Sequence, residues 1–209
     1  MYVATRKTLF TLLGRTLAAA GVVISMGVCV QAHAAPLIAN NGWSTFDVDS
    51  FAASSGGLEW IDTSTYAPLA FDFTIAAGSQ GNLTVVDAGF AGDTFTVFNG
   101  LVTLGTTSSV PVTEYNDSPP NIGLDYSAAF ADHANFSYAT YNLGAGTYSI
   151  RGLLAQSVTI GRTPFLPGEP LNATVGALRL EVSPVPEPET VAMLLAGLGL
   201  IGATLRRRA

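Results

Sequence analysis

Acidic side chains are the residues of this sequence best suited to chemistry. Residues 35–184 hold 13 Asp or Glu, three Arg and no Lys, which gives a formal net charge of −10. Calcium takes oxygen ligands from loops, so Asp87 and Asp93, which flank a predicted turn, are candidate calcium ligands. Asp47 and Asp49 form a second candidate pair on one face of a predicted strand. Neither pair has EF-hand spacing, and turn formation or a solvated face is the alternative role of these aspartates.

The sequence contains few of the residues that nucleophilic catalysis or a zinc site would need. Residues 35–184 contain one histidine, His133, and no cysteine, because Cys29 lies in an apolar segment near the N-terminus. A Ser or Cys nucleophile needs a neighbouring base, and Asp132 would point away from His133 in a strand. One histidine without thiols cannot supply the usual zinc ligands. We therefore predict a protein that is not an enzyme and needs no cofactor, with calcium as the one exception left open.

Carboxylate pairs and aromatic side chains leave two further alternatives open. A glycosidase or lyase needs two acids about 5 to 9 Å apart, and the candidates are Glu59, Asp62, Glu114 and Asp117. Exposed aromatic rings can stack on sugars, and Trp43, Trp60 and Tyr66 lie close together in the sequence. Core packing is the commoner role of tryptophan.

The elements that position these residues are predicted to be strands. Apolar and polar residues alternate with a period of two at 69–75 and 94–98, and Asn99-Gly100 is a strong hairpin signal. Further strands are predicted at 83–86, 135–143, 147–154 and 177–182. Glycine-rich turns at roughly ten-residue intervals are typical of a sandwich. We predict an all-β fold, a single antiparallel β-sandwich or jelly-roll-like domain over 35–184.

The N-terminal segment has the pattern of a secretory signal peptide. Of the 209 residues 48% are hydrophobic and 11% charged, and the apolar excess lies mostly at the two ends. Basic residues precede an apolar run at 17–30, and Ala32 and Ala34 form the small-x-small pattern that signal peptidase accepts. We predict that residues 1–34 are removed and that the mature chain starts at Ala35.

The C-terminal segment combines a proline-rich stretch, an apolar stretch and a basic tail. Pro186, Glu187 and Pro188 precede an apolar stretch at 191–205, and Arg206, Arg207 and Arg208 follow it. A helix of 15 residues is about 22 Å long, short of the bilayer core but able to span it with local thinning. We predict a transmembrane helix with a cytoplasmic arginine anchor, which leaves the acidic domain outside the inner membrane.

This order of features resembles the PEP-CTERM sorting signal of Gram-negative bacteria, with 186–188 as the signature tripeptide and 185–209 as the sorting segment. Stretches such as 85–100 and 143–150 are also similar to a pattern common among PEP-CTERM proteins. The resemblance implies a β fold and processing by an exosortase, a membrane cysteine transpeptidase that cuts at or near the tripeptide. It further implies a bacterium that makes exopolysaccharide and builds biofilms or flocs.

These patterns together predict an exported protein with a structural or adhesive role. We expect it to be held transiently at the inner membrane, processed by signal peptidase and exosortase, and delivered to the cell surface or extracellular matrix, where exopolysaccharide is the expected partner. A calcium-dependent or aromatic carbohydrate-binding module is one alternative, and a small carboxylate glycosidase or lyase is another. The acidic surface repels phosphates and excludes a nucleic-acid partner.

Overall fold

The computed structural model describes residues 33–161, 168–185, 193–198 and 206. The described residues form nine named strands, one named short helix and one 3₁₀ turn, besides a helical segment at 193–198. These are β1 (His33–Pro36), β2 (Ser44–Asp49), β3 (Leu69–Ile75), β4 (Ser79–Ala88), β5 (Thr94–Asn99), β6 (Val102–Thr106), the 3₁₀ turn Tyr115–Asp117, α1 (Tyr126–Ala131), β7 (Tyr138–Leu143), β8 (Gly146–Gln156) and β9 (Ala173–Pro184).

The strands form two sheets whose facing sides enclose the core. The first sheet has the order β1-β3-β8-β5-β6, and the second has the order β2-β9-β4-β7. Every pairing between named strands is antiparallel except that of β1 with β3, which is parallel. The predicted all-β fold with two packed sheets is confirmed, and the parallel β1 is a departure from a purely antiparallel domain.

Alternating apolar residues on the strands fill the space between the sheets. Phe46 on β2 stacks on Trp60 with ring centroids 3.9 Å apart, and Phe95 on β5 meets Phe46 edge-on at 5.1 Å. Glycine is required where these rings touch the strands, because a Cβ at Gly152 would lie 2.2 Å from the Trp60 ring and one at Gly176 would lie 2.4 Å from Phe46. The aromatic centre of the core therefore depends on one glycine in β8 and one glycine in β9.

A second, smaller apolar cluster covers part of the outer face of the second sheet. There Val86 and Ala88 on β4 and Ala177 on β9 pack under Tyr126 and Ala129 of α1. Helix α1 begins after Asp125, whose side chain accepts a hydrogen bond from Ala128 N–H. The short helix thus fixes Tyr126 above the sheet, next to edge strand β2.

The predicted strands are present, and most are longer than the sequence indicated. Predicted strand 69–75 matches β3, and the Asn99-Gly100 hairpin joins β5 to β6. The strand predicted at 83–86 is part of the longer β4, which starts at Ser79 and continues to Ala88. Strand β9 also begins four residues earlier than predicted, because residues 173–176 pair with β2, and 175–176 pair with β4 as well.

The two end segments of the sequence fall mostly outside the described residues. Ala34 and Ala35 lie in β1, paired with Ala70 and Phe71, whereas Ala32 is outside the described part. Among the described residues, 193–198 are helical, and no helix there is long and apolar enough to cross a membrane. The predicted span at 191–205 and the residues 186–188 lie largely or wholly outside the described ranges.

Candidate functional site

Asp87 and Asp93 form a buried carboxylate pair at one end of the sandwich. Their side chains are 0% and 1% exposed. Asp87 is near the end of β4, and the 89–93 turn brings Asp93 back so that its N–H donates to Asp87 Oδ2 at 3.3 Å. Val158 N–H donates to Asp93 Oδ1 at 2.8 Å. The sequence prediction that the two aspartates flank one turn is confirmed, and the fold places them inside the protein.

Burial sets the electrostatics of this pair. It raises the pKa of Asp87 well above its usual value, with a further rise from the Asp93 charge. Burial also raises the pKa of Asp93 to about 6, against the opposing effect of hydrogen bonds that include Val158 N–H. The hydroxyl of Thr174 faces Asp93 without completing a hydrogen bond of normal geometry. At neutral pH the pair therefore favours keeping a proton over carrying two charges.

The calcium hypothesis can be compared with this geometry. Asp87 Oδ1 and Asp93 Oδ2 are both buried without a hydrogen-bond partner, which leaves two oxygens for a ligand or a shared proton. Calcium takes six to eight oxygens. In the described part of the chain, no group of three or more His, Cys, Asp or Glu side chains is arranged to hold a metal ion. The pair supplies two carboxylates and no third.

A surface cleft of about 390 Å³ lies beside β2, on the same side of the domain as α1. We call it the Asp47 cleft. Its lining includes Asp47, Asp49, Tyr66, Phe90, Asn121 and Leu124. An adjoining depression shares Asp47 and Leu124 with it and adds Thr45, Thr63 and Tyr126. This volume lies within the range of small-molecule sites, and a mostly apolar lining with a few polar groups is typical of them.

The depression that adjoins the Asp47 cleft contains a polar group without a hydrogen-bond partner, and Asp47 lines both. Tyr126 is only 8% exposed, and its buried hydroxyl makes no hydrogen bond. Burial and the nearby Asp47 charge raise the pKa of Tyr126 to about 12, so the phenol stays protonated. Burial, then the charges of Asp49 and Asp62, raise the pKa of Asp47. The Tyr126 hydroxyl is therefore neutral, and the charged form of the Asp47 carboxylate is destabilised by its surroundings.

Asp49 and Asp62 are held by their own loops. Asp49 Oδ1 accepts the N–H groups of Phe51 and Ala52 at 2.9 and 3.0 Å. Asp62 Oδ1 accepts from Ser64 and Thr65, and these bonds, the Ser64 hydroxyl first, lower the pKa of Asp62 to about 2. These two aspartates therefore contribute fixed negative charge, and Asp47 is the carboxylate left to bind something else.

The aromatic residues do not form the platform that the sequence suggested. Trp60 is 0% exposed and packs on Phe46, so its assignment to a sugar platform is wrong. Trp43 is half-buried, and the guanidinium of Arg179 lies 4.5 Å above its ring. Tyr66 is 48% exposed and lines the Asp47 cleft. Of the three, Tyr66 alone offers a ring to a ligand in that cleft.

The remaining candidates for catalysis lie apart from the Asp47 cleft. His133 is exposed and stacks on Tyr138 with ring centroids 4.0 Å apart, while Asp132 accepts a hydrogen bond from Asn135. None of the four acids proposed as a glycosidase pair lines the Asp47 cleft, and Glu59 accepts a hydrogen bond from Ser55. Those acids are Glu59, Asp62, Glu114 and Asp117.

Sequence reasoning missed Tyr126 as part of a site. Its position in the alanine-rich stretch 126–131 gave no helical or strand pattern to place it against β2. The useful signal was Asp125 three residues before Ala128, a helix N-cap that puts Tyr126 in the first turn. Asp47 and Asp49, which were predicted to share one face of a strand, both line the cleft.

The C-terminal end of the domain is well defined where the sorting segment begins. Strand β9 ends at Pro184, and Val185 N–H donates to Gly78 O at 2.8 Å. Pro186, Glu187 and Pro188 follow directly, outside the described residues. The predicted processing tripeptide therefore comes one residue after the last backbone hydrogen bond described for β9.

Comparison with known proteins gave three results. No curated protein matches the chain. A solved structure, the pre-peptidase C-terminal domain of collagenase from Bacillus anthracis, is similar at 10% sequence identity and a TM-score of 0.34, covering 72% of this chain and 95% of that one. Residues 184–208 match the family model of the PEP-CTERM protein-sorting motif. The chain therefore carries a PEP-CTERM protein-sorting motif at residues 184–208, and this motif implies export and recognition by an exosortase.

Proposed function

We propose that this protein is a non-enzymatic, exosortase-processed component of the cell surface or extracellular matrix, with a structural or adhesive role toward exopolysaccharide. The observation that carries this proposal is the sorting motif at 184–208, placed directly after the last strand of a complete sandwich. In this role, signal peptidase removes 1–34, the inner membrane holds the chain transiently, and exosortase acts at 186–188.

The sandwich supports a passive or adhesive role by its construction. Its apolar residues are enclosed between two sheets and under α1, and its acidic residues outnumber its arginines. A surface with excess negative charge stays soluble and resists nonspecific association. Such a domain is suited to remain folded in a hydrated polymer, where selective contacts then decide what it binds.

The experiment that tests this proposal measures the intact mass of the exported form in cells with and without an active exosortase. We expect loss of both end segments in the first case and retention of 191–208 in the second. The purified exported form should sediment with the producer's isolated exopolysaccharide. An unchanged C-terminal mass in exosortase-positive cells would overturn the processing step, and failure to sediment would overturn the adhesive role.

A carbohydrate-binding module is the second candidate, and the Asp47 cleft is the observation that favours it. Tyr66 supplies an exposed ring, Asp47 supplies a carboxylate, and Tyr126 supplies a buried hydroxyl without a hydrogen-bond partner. Equilibrium binding to the same exopolysaccharide separates a passive component from a binding module. Saturable binding that depends on Asp47 supports the module.

A further inference from the structure

The Asp47 cleft has a charge distribution that favours a particular class of ligand. The charges of Asp49 and Asp62 both act on Asp47. Hydrogen bonds from the N–H groups of Phe51 and Ala52 fix the Asp49 carboxylate, and those of Ser64 and Thr65 fix the Asp62 carboxylate. Burial and then the charges of Asp49 and Asp62 raise the pKa of Asp47, and no hydrogen bond acts in the opposite direction. A cationic ligand would relieve the repulsion among these carboxylates, whereas a neutral ligand would leave it in place.

The cations already near this cluster do not neutralise it. His33 Nδ1 lies 3.9 Å from Asp62 Oδ2 on an exposed part of β1. Signal peptidase cleavage before Ala35 would remove His33 from the mature protein. In the rest of the described chain, Arg179 is engaged with Trp43, Phe130 and Glu181. Among the residues that the structure describes, the mature cleft would therefore be acidic without a fixed positive partner.

The neutral groups of the cleft add a requirement for hydroxyls and an apolar face. The hydroxyl of Tyr126 is buried with no partner in the depression that Asp47 also lines, and leaving such a group unpaired is unfavourable. Thr45, Thr63 and Asn121 add polar groups around it. The exposed ring of Tyr66 and the Leu124 side chain, 67% exposed, offer apolar surface at the rim.

From these observations we propose that the Asp47 cleft binds an amino sugar carrying a free ammonium group. The ammonium would donate to the Asp47 carboxylate, a ring hydroxyl would pair with Tyr126 Oη, and the C–H face of the sugar would lie against Tyr66. This inference rests on the proposed adhesive role, since it names the sugar class through which the protein would contact a polymer. It assigns the cleft no catalytic step.

The test is calorimetric titration of the full chain, purified in mild detergent, with a β-1,4-linked glucosamine tetramer. The matched ligand is the same tetramer with every amine N-acetylated, and tetralysine is a second ligand that carries ammonium groups without sugar rings. We expect saturable binding of the glucosamine tetramer, and binding weaker by about tenfold or more for both of the others. Equal binding of the acetylated tetramer or of tetralysine would overturn the proposal.

Variants connect the binding to the cleft. Asp47→Asn should weaken binding of the glucosamine tetramer by about tenfold, whereas Asp117→Asn, an exposed acid outside the cleft, should leave it within about twofold. Tyr126→Phe removes the unpaired hydroxyl and keeps the ring. It should weaken binding by about fivefold without lowering the melting temperature, a combination that a merely structural role would not give.

The outcomes also separate this inference from the proposed function. If the tetramer fails to bind while the protein still sediments with the isolated exopolysaccharide, the amino-sugar assignment is overturned and the adhesive role stands. If neither binds, both are overturned. Unchanged tetramer affinity in Asp47→Asn would place the binding elsewhere and overturn the assignment of the cleft.

Discussion

The buried Asp87–Asp93 pair should make the folded domain less stable as the pH rises from mildly acidic to neutral. A carboxyl group whose pKa is raised by folding binds more protons in the folded state than in the unfolded state, between its two pKa values. The free energy of unfolding therefore decreases with rising pH in that interval. For Asp93 the interval runs from the ordinary value of 3.8 to about 6, and Asp87 extends it upward because its pKa is raised well above 3.8.

The magnitude follows from the Asp93 shift. Moving from 3.8 to about 6 is roughly two pH units, and each unit corresponds to about 1.4 kcal/mol, so Asp93 alone accounts for about 3 kcal/mol across the interval. Between about pH 5 and pH 7 we expect a loss of at least about 1 kcal/mol, because Asp93 titrates over the first half of that range. In a domain of this size that lowers the melting temperature by about 2 to 4 °C.

Other titrating groups have to be separated from the pair. Asp62 acts in the opposite direction, since its pKa is lowered to about 2, and its stabilising effect is lost only as the pH falls below about 4. Asp47 has a raised pKa and acts in the same direction as the pair. The variant Asp93→Asn removes the Asp93 contribution alone, because its side-chain oxygen can still accept Val158 N–H while the charge is gone.

The assay is thermal unfolding followed by circular dichroism at several pH values, on the full chain and on Asp93→Asn. We expect the decrease between about pH 5 and pH 6 to be smaller in the variant, because the Asp93 contribution is gone while that of Asp87 remains, and we expect Asp117→Asn, an exposed control, to keep the full decrease. Two results would refute the reasoning. One is a melting temperature that stays level or rises over this range, and the other is a pH dependence in Asp93→Asn equal to that of the unaltered chain.

Three further predictions concern the core, the metal hypothesis and the first strand. Gly152→Ala should destabilise the domain by about 1 to 3 kcal/mol, because its Cβ would overlap Trp60. Gly144→Ala is the control, because its Cβ would meet nothing within 4 Å. Equal melting temperatures of the two variants would contradict this prediction. Calcium at about 1 mM should raise the melting temperature no more than magnesium does, because the Asp87–Asp93 pair offers only two of the carboxylates that a calcium site needs. A saturable rise that is specific to calcium and is lost in Asp87→Asn would contradict this prediction. His33→Ala should change the unfolding free energy by less than about 1 kcal/mol in urea titration, because its ion pair is exposed, and a larger loss would show that β1 needs its first residue.

Strand positions could be predicted because their physical signal is local. In β3 the residues Leu69, Phe71 and Phe73 alternate with polar or smaller neighbours, and a period of two is enough to indicate a half-buried strand. The parallel pairing of β1 with β3 has no such signal. It depends on where the chain goes after residue 36 and on which sheet edge is free, and neither is encoded in the four residues of β1.

The site was less predictable, because its residues come from separate elements. The sequence correctly indicated that Asp87 and Asp93 flank a turn, yet it gave no sign of their burial, since polar residues at a turn are usually solvated. The burial of Trp60 is also hard to predict from the sequence, because a tryptophan beside acidic residues can face either solvent or the core. Its burial follows from Gly152 on β8, which is more than 90 positions away in the chain.

The position of the Asp47 cleft relative to the sorting segment bears on how an attached protein could bind. Asp47 pairs with Val175 near the start of β9, and the sorting motif begins at residue 184, where the same strand ends. Nine residues of extended strand span about 30 Å. Because β9 pairs with β2 and β4 along its length, it holds the cleft and the C-terminal exit at opposite ends of one rigid sheet. A group joined to the chain after residue 185 would therefore be attached at the end of β9 opposite to the end that carries the cleft.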